Sequence, residues 1–276
     1  MSRENLHSRV LSKKPIGVFD SGLGGLTIVR EIRRRLPNEP IVYFGDLARL
    51  PYGTKSKEQI IRFSIQNTFF LLKHKIKTLV IACNSSASAS FPFIHKNFKL
   101  PVVDVIGPAV VAAYRASRTK RIGLIATQAT IESRSYEQAL LKTDPGIELF
   151  TSPCPLFVPL VEEGWLAGEI PQQIAKVYLK SLLKKKIDTL ILGCTHYPLL
   201  SEVIRRVIGD KIQLIDSIEP TVTQLMGILS TKHLDYPASG NGKLKVFVSD
   251  KPRNFVRLGE QFLGEKLNHV EVVRQK

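Results

Sequence analysis

The sequence predicts an α/β protein made of two domains of similar build, each with a mostly parallel sheet. Short apolar segments alternate with helix-length segments along nearly the whole chain, a pattern typical of helices packed on parallel strands. A segment that contains a strand and a cysteine also occurs twice. The length of 276 residues suffices for one large domain or two modest ones.

The predicted strands are short runs rich in aliphatic and β-branched residues. The first series comprises Ile16–Phe19, Ile41–Phe44, Thr78–Ile81 and Val102–Val105. The second comprises Ile122–Ile125, Ile147–Phe150, Thr189–Leu192 and Gln213–Ile215. A helix at Ile218–Gly227 and a stretch containing Gly, Ser and Pro at Tyr236–Lys243 then precede a last predicted strand, Leu244–Val248, and a charged C-terminal segment.

The internal repeat joins a helix end, a strand and a cysteine. Residues 71–84 read LLKHKIKTLVIACN and residues 182–195 read LLKKKIDTLILGCT, with eight of fourteen positions identical at an offset of 111. The strands that begin at Ile16 and Ile122 also correspond, at an offset of 106. Buried strands share Leu, Ile and Val by chance, but chance does not readily explain a cysteine at the same place in both copies. We therefore predict a duplicated α/β unit.

The chain is strongly basic, with 40 Lys and Arg against 24 Asp and Glu and a formal charge of +16. Arg33–Arg35 and Lys184–Lys186 each close a predicted amphipathic helix and lack interleaved aromatic residues. We interpret both runs as solvated surfaces, with nucleic-acid binding as a remote alternative, and we expect the positive field to favour a small acidic substrate. The predicted inner face of the second helix consists of Ile174, Val177, Tyr178, Ser181 and Leu182.

Composition and cysteine count narrow the class of protein. Apolar residues at 43% and charged residues at 23% are ordinary for a globular protein, and no apolar run reaches the roughly eighteen residues that span a bilayer. Met1–Ser12 lack the apolar region of a secretion signal, and we expect residues 1–14 to form a flexible extension. Three cysteines without an export signal indicate reduced thiols in the cytoplasm.

Cys83 and Cys194 both follow apolar strands. Ligands of open α/β sheets bind beyond the carboxyl ends of the strands, so both thiols are predicted to lie where a ligand binds. Asn84–Ser86 can cap a helix after the first cysteine, and Thr195 and Pro198 open a helical stretch after the second. Helix N-terminal N–H groups stabilise a thiolate or hold a carboxylate. Either cysteine alone reads as an ordinary buried residue, whereas the matched pair favours chemistry.

A matched pair of thiols suits the inversion of a carbon centre by proton transfer, because one face needs a base and the other an acid. A hydrolase with a cysteine nucleophile would leave the second thiol without a role. A zinc site of Cys83, Cys194 and His196 is a weaker alternative, because the chain has neither a C-x-x-C nor an H-E-x-x-H pattern.

Other polar clusters follow the predicted strands. Asp20–Gly25 offers a carboxylate, a hydroxyl and a glycine turn, and Thr27 breaks the dinucleotide-binding pattern that this turn resembles. Gly45–Gly53 is a loop that can close over a site. His196 lies two residues from Cys194, on the same side of an extended segment, and can assist that thiol. At least one member of the pair Glu162 and Glu163 is expected at a solvated helix end.

Five segments resemble the motifs of glutamate racemases in the aspartate and glutamate racemase superfamily. They are PIGVFDSGLGGLTIV (15–29), YFGDLARLPYG (43–53), IACNSSASA (81–89), PLVEEG (159–164) and LGCTHYPLL (192–200), and the resemblance in their order and spacing extends over nearly the whole chain. The superfamily shares the two cysteines, whereas DSGLGG and PYG favour the glutamate branch. The resemblance implies two α/β domains with the active site in the cleft between them. It also implies cofactor-independent interconversion of L- and D-glutamate, which supplies D-glutamate for peptidoglycan.

The resemblance also implies roles for individual residues. Cys83 would take the proton from D-glutamate and Cys194 from L-glutamate, each protonating the product of the other. Asp20 would support Cys83, and His196, with Glu162 nearby, would support Cys194. The implied substrate pocket consists of Asp20, Ser21, Tyr52, Gly53, Asn84, Ser85, Thr127, Thr195 and His196. The family resemblance implies neither a cofactor nor a metal.

Some positions depart from the family pattern or leave a choice. Ser85 and Leu47 stand where the family usually has Thr, and we expect both to alter affinity rather than reaction type. The segment TQAT offers both Thr127 and Thr130 to the pocket. Cys154 matches no catalytic motif and is assigned to packing.

The predicted organisation has a first domain at 1–106, a second at 107–217 and a segment at 218–276 that returns to the first. The predicted partner is the small molecule glutamate, with no membrane. A homodimer is compatible with the family, although its interface leaves no trace in the sequence. The alternative function is a racemase or isomerase for aspartate or another small acid.

Overall fold

The computed structural model describes residues 11–237, 242–251 and 255–274, and it contains two parallel sheets. The larger sheet consists of β1 (Ile16–Asp20), β2 (Ile41–Gly45), β3 (Thr78–Ile81), β4 (Val102–Asp104), β9 (Leu244–Val248) and β10 (Val270–Val272). The smaller sheet consists of β5 (Arg121–Ala126), β6 (Glu148–Pro153), β7 (Thr189–Gly193) and β8 (Gln213–Ile215).

The two sheets share one strand order. The larger runs β10-β9-β2-β1-β3-β4 and the smaller runs β6-β5-β7-β8, so β1 to β4 correspond to β5 to β8. Equivalent close contacts recur in both sheets: a Cβ on Gly17 would lie 2.6 Å from Ile76, and a Cβ on Gly123 would lie 2.6 Å from Ile187. The predicted fold class of two similar α/β units with parallel sheets is therefore confirmed.

Helices connect the strands of both sheets, as parallel connections require. They are α1 (Leu26–Arg35), α2 (Lys57–Lys73), α3 (Asn84–Asn97), α4 (Ile106–Ala116), α5 (Gln128–Glu132), α6 (Ser135–Thr143), α7 (Phe157–Glu162), α8 (Glu169–Leu183), α9 (Ser201–Ile208), α10 (Ile218–Thr231) and α11 (Phe255–Leu263). Short 3-10 turns occur at Leu47–Arg49, Tyr52–Thr54 and Tyr197–Leu200. Within the described ranges, no helix is both long and apolar enough to cross a membrane.

The prediction that Leu244–Val248 is the last strand is wrong. β10 follows it, and Val270, Glu271 and Val272 pair in parallel with Val246, Phe247 and Val248. With three residues, one of them charged, β10 is too short for its apolar pattern to be recognised.

The predicted inner face of α8 is also wrong in part. Val177 is 73% exposed, whereas Ala175, Leu179 and Leu182 are buried. Residue 177 lies about 200° around the helix from residue 175, so the two cannot share a face. Ser181 is exposed for the same reason, and α8 ends before the three lysines that were expected to close it.

Lys77 joins three distant segments at the beginning of β3. Its buried ammonium donates to the carbonyl of Ser12 at 2.8 Å, to the carboxylate of Glu39 at 2.5 Å and to the carbonyl of Leu234 at 2.8 Å. Ser12 is therefore held against the larger sheet, while residues 1–10 of the predicted extension lie outside the described residues. Residues 238–241 of the predicted Gly/Ser/Pro stretch also lie outside them.

The central strands of both sheets lead to residues that the sequence marks as functional. β1 ends at Asp20, and Cys83 follows β3 after one residue. In the smaller sheet, Thr127 follows β5 directly and Cys194 follows β7 directly. Parallel strands end at the same edge of their sheet, and these two edges contribute to one cleft.

Candidate active site

One cleft of about 330 Å³ brings the predicted residues together from both sheets. Asp20 is the exception, because it is fully buried beneath the lining and its role as a substrate ligand stays a prediction. The predicted residues that line the cleft are Ser21, Tyr52, Gly53, Cys83, Asn84, Ser85, Thr127, Glu162, Cys194, Thr195 and His196. A larger groove of about 730 Å³ along β9 and β10 contains none of the predicted site residues.

Cys83 occupies the N-cap position of α3 and is buried. The helix therefore begins one residue after the thiol, and the predicted capping residues Asn84–Ser86 form its first turn instead. The Cys83 thiol donates to the hydroxyl of Ser21 at 3.4 Å. Burial raises the pKa of this thiol to about 12, and the carboxylate of Asp20 adds to the rise, so Cys83 is protonated when no ligand is bound.

Asp20 lies between the two halves of the site. Its carboxylate accepts a hydrogen bond from the N–H of Gly22 at 3.0 Å and another from the hydroxyl of Thr195 at 3.4 Å. Burial raises the pKa of Asp20, while the charge of His196 and the hydrogen bonds oppose the rise. The carboxylate is thus in electrostatic contact with groups on both sides of the cleft.

Cys194 is paired with a histidine. Its sulfur lies 4.0 Å from His196 Nδ1, and His196 Nε2 lies 3.3 Å from the carboxylate of Glu162. Burial alone lowers the pKa of His196, but its contacts with the Cys194 sulfur and the Glu162 carboxylate outweigh burial and raise the pKa to about 10. An imidazolium at neutral pH therefore lies beside the Cys194 sulfur.

The backbone after Cys194 differs from the prediction. His196 has helical backbone angles, and a 3-10 turn at Tyr197–Leu200 separates the thiol from α9. The contact between Cys194 and His196 is therefore made by a turn, not by an extended segment. Pro198 lies in this turn and not at the start of the α-helix.

Asn84 is oriented by a buried tyrosine. Its side-chain nitrogen donates to the hydroxyl of Tyr136 at 2.8 Å, and both residues are buried. Because the amide nitrogen is engaged, the amide oxygen is directed elsewhere, and among the described residues it has no hydrogen-bond partner. Asn84 therefore presents an unpaired acceptor beside the cleft.

Three hydroxyls form a cluster at the floor of the cleft. Ser85 lies 2.9 Å from Thr127 and 3.4 Å from Thr130, and the two threonine hydroxyls are 3.1 Å apart. Thr127 lines the cleft, whereas Thr130 is buried behind it. Of the two threonines that the sequence offers, Thr127 is thus the one within reach of a ligand.

The loop after β2 is held by a carboxylate. Asp46 accepts hydrogen bonds from the hydroxyl of Tyr52, from Arg49 Nε at 2.6 Å and from the hydroxyl of Ser249 at 2.9 Å. Gly53 packs against the residue that follows β5 of the smaller sheet, since a Cβ there would lie 2.6 Å from Thr127. A side chain at position 53 would therefore force the cleft walls apart.

The sequence did not single out several cleft-lining residues. Their apolar or uncharged side chains carry no chemical signal, although some of them flank recognised motifs. They are Leu50, Pro51, Thr54, Gln128, Pro155, Val158 and Pro159. Glu163, which the sequence singled out without a definite role, also lines the cleft. Cys154 is buried outside the cleft lining, where its thiol donates to the carbonyl of Ser152 at 3.5 Å. Across the described ranges, no His, Cys, Asp and Glu side chains are grouped as a metal would require.

Comparison with known proteins places this geometry in a family. The Asp/Glu/Hydantoin racemase family matches residues 21–225. The glutamate racemase of Geobacter metallireducens is 46% identical over 257 residues, which are 93% of this chain and 95% of that protein. The glutamate racemase of Francisella tularensis, solved in complex with D-glutamate, has a TM-score of 0.91 at 39% identity and covers 96% of this chain and 99% of its own.

An aspartate racemase from Picrophilus torridus shares the fold alone. Its TM-score is 0.57 at 18% identity, and it covers 80% of this chain and 98% of its own. The likeness is thus much greater to the glutamate branch, in sequence and in structure. The chain therefore belongs to the glutamate racemases of the Asp/Glu/Hydantoin racemase family, a conclusion that its paired thiols and two matched sheets support.

Proposed function

We propose that this chain interconverts L- and D-glutamate by a two-base mechanism in which Cys83 and Cys194 exchange the roles of base and acid. The observation that carries this proposal is the position of the two thiols. They line one cleft and follow equivalent strands of the two sheets, β3 and β7, so a ligand in the cleft can contact both sulfurs. Proton transfer at both faces of a carbon requires this arrangement.

With L-glutamate, the Cys194 thiolate takes the α-proton. The Cα–H bond breaks, an S–H bond forms, and the electron pair remains on the planar Cα and its carboxylate. The Cys83 thiol then donates its proton to the opposite face, which forms D-glutamate and leaves a Cys83 thiolate. With D-glutamate the same steps run in reverse, and no other reagent is consumed.

The surroundings of the thiols support this assignment of roles. His196, with its pKa raised to about 10, is a cation beside Cys194, while the raised pKa of Cys83 keeps that group a thiol. Cys83 is therefore held in the protonated form that this proposal requires for its role as the acid with L-glutamate.

The intermediate carries additional negative charge on the substrate carboxylate, and the cleft offers donors for it. The first-turn N–H groups of α3 and the hydroxyls of Ser85 and Thr127 are fixed by the fold before substrate arrives. Preorganised donors of this kind stabilise a developing charge without reorganisation. In this proposal they supply the stabilisation that a pyridoxal cofactor would otherwise provide.

Circular dichroism of glutamate tests the proposal. Purified protein, without added pyridoxal phosphate or metal, is incubated separately with L- and D-glutamate, and we expect the signal to decay to zero from both sides. A larger kcat/KM for aspartate or another small acid would favour the alternative function. Nucleic-acid binding, the remote alternative, would be favoured if the protein binds a labelled DNA duplex, if this binding falls steeply with salt, and if Cys83→Ser does not change it.

We also propose a cytoplasmic location and a role in supplying D-glutamate for peptidoglycan. The three cysteines are free and buried, which suits a reducing compartment. Self-association as a homodimer stays a prediction, and light scattering after size-exclusion chromatography measures it.

A further inference from the structure

Ser86 has a buried hydroxyl that the mechanism above does not use. The side chain is 0% exposed, and its oxygen has no hydrogen-bond partner among the described residues. Burial of a hydroxyl without a hydrogen-bond partner lowers the stability of the folded state, so the presence of Ser86 here needs an explanation. Ser86 itself is fixed in α3, because its carbonyl accepts a hydrogen bond of 2.7 Å from Ser90.

The geometry of the helix start explains where this hydroxyl points. Cys83 is the N-cap of α3 with extended backbone angles of −70° and 121°, and Ser86 is the third residue of the helix. An N-cap side chain in this conformation faces the backbone N–H of the third helical residue. Neither donor of Ser86 makes a hydrogen bond to the Cys83 sulfur in this thiol form, and both oppose the rise in the pKa of Cys83.

We infer that Ser86 is a positioning residue for Cys83, whose backbone N–H and hydroxyl both donate to the sulfur when it becomes a thiolate. In the thiol form, Cys83 donates its own proton to Ser21 and leaves the Ser86 hydroxyl without a partner. Loss of that proton turns the sulfur into an acceptor, which the Ser86 hydroxyl can then satisfy. This inference rests on the proposed function only for its catalytic consequence.

Other titratable groups lie around Cys83 and affect the ionisation of its thiol. The carboxylate of Asp20 lies at the end of β1, and the hydroxyl of Tyr43 on β2 also interacts electrostatically with the sulfur. Tyr52 packs in the same apolar cluster as Cys83. Burial raises the pKa of both tyrosines and keeps them neutral, so the Asp20 carboxylate is the negative charge that the donors at Ser86 counter.

Ser86→Ala tests the inference, with Ser88→Ala as the matched control. Ser88 lies in the same helix, but its hydroxyl donates to the carbonyl of Ser85 at 3.0 Å. The rate of alkylation of Cys83 by iodoacetamide is measured at fixed pH by peptide mass spectrometry, with Cys194 as the internal reference. We expect Ser86→Ala to slow alkylation of Cys83 about tenfold while Cys194 changes less than about twofold.

Racemisation and thermal stability complete the test. L- and D-glutamate have equal free energies, so kcat/KM should fall by the same factor, about threefold to tenfold, from both sides. The Tm of Ser86→Ala should equal or exceed that of the wild type, because an unpartnered buried hydroxyl is removed. Unchanged alkylation of Cys83, with or without a lower Tm, would overturn the inference. Because alkylation needs no turnover, it still decides the role of Ser86 if the protein does not racemise glutamate.

Discussion

The hydroxyl of Thr195 donates a hydrogen bond of 3.4 Å to the carboxylate of Asp20 and so joins the two halves of the site. Thr195 follows Cys194 in the chain, while Asp20 acts electrostatically on Cys83. Gly24 permits the approach, since a Cβ there would lie 2.2 Å from the Thr195 hydroxyl oxygen. This contact couples the surroundings of one thiol to those of the other.

Asp20→Asn should make Cys83 easier to ionise. Besides burial, the Asp20 carboxylate raises the pKa of this thiol, and asparagine removes the charge while it keeps an acceptor for Gly22. We expect alkylation of Cys83 by iodoacetamide at about pH 8 to accelerate up to about tenfold. An unchanged alkylation rate would show that Asp20 does not act on Cys83.

Tyr136→Phe should impair turnover through Asn84. The variant removes the acceptor that orients the Asn84 amide and leaves the shape of the ring unchanged. We expect kcat/KM for glutamate to fall about tenfold and the free energy of unfolding to fall by about 1 kcal/mol. Tyr114→Phe, at a partly exposed tyrosine, is the control. Wild-type kinetics in Tyr136→Phe would exclude a role for this hydrogen bond.

His196 should make stability depend on pH in one direction. The folded chain keeps a proton on His196 up to about pH 10, whereas the unfolded chain loses it near the ordinary value of 6.5. Its contribution is therefore fully present below pH 6.5 and is lost as the pH rises to about 10. We expect the free energy of unfolding in urea to fall by up to about 1.4 kcal/mol per pH unit within this window.

The free energy of unfolding should change less with pH in His196→Asn than in the wild type. The control is His95→Asn, a substitution of an exposed histidine, which should keep the wild-type pH dependence. Measurements below about pH 8.5 avoid the ionisation of Cys83, which is protonated in the folded chain well above its ordinary value. A slope that persists in His196→Asn would assign it to another group.

Lys77→Met should destabilise the fold without affecting the chemistry. The substitution leaves the Glu39 carboxylate buried without its cation and removes the donor to two backbone carbonyls. Loss of one partner of a buried pair costs about 3–5 kcal/mol, which urea unfolding measures. Lys73→Met, at an exposed lysine, is the control, and kcat/KM should be preserved in both variants. A loss below about 1 kcal/mol would contradict a structural role for the pair.

The sequence predicted the sheets well because strands of a buried parallel sheet appear in a sequence as short, nearly uninterrupted apolar runs. Leu244–Val248 has the predicted bounds, and the repeat of Cys83 and Cys194 anticipated the common strand order. The sequence did not predict β10, because its strand conformation comes from pairing with β9 and not from a recognisable apolar pattern. Val177 was misplaced because an apolar residue on a helix need not be buried.

Within the site, residues with distinctive chemistry were found and those that act through shape or through neighbours were not. His196 was recognised beside Cys194 from the sequence, whereas Glu162 was placed near them only by the family resemblance, because its contact with His196 joins segments far apart in the chain. Tyr136 resembles any core tyrosine until its hydrogen bond to Asn84 is seen. Such long-range contacts leave no local signal in one sequence.

Racemisation by the single variants Cys83→Ser and Cys194→Ser tests the two-thiol mechanism most directly, with Cys154→Ser as the matched control outside the cleft. Circular dichroism follows L- and D-glutamate separately, and thermal unfolding confirms that each variant is folded. The mechanism predicts a loss of at least about 10² to 10⁴ in kcat/KM for both site variants and a near wild-type rate for Cys154→Ser. A wild-type rate in either folded site variant would contradict it.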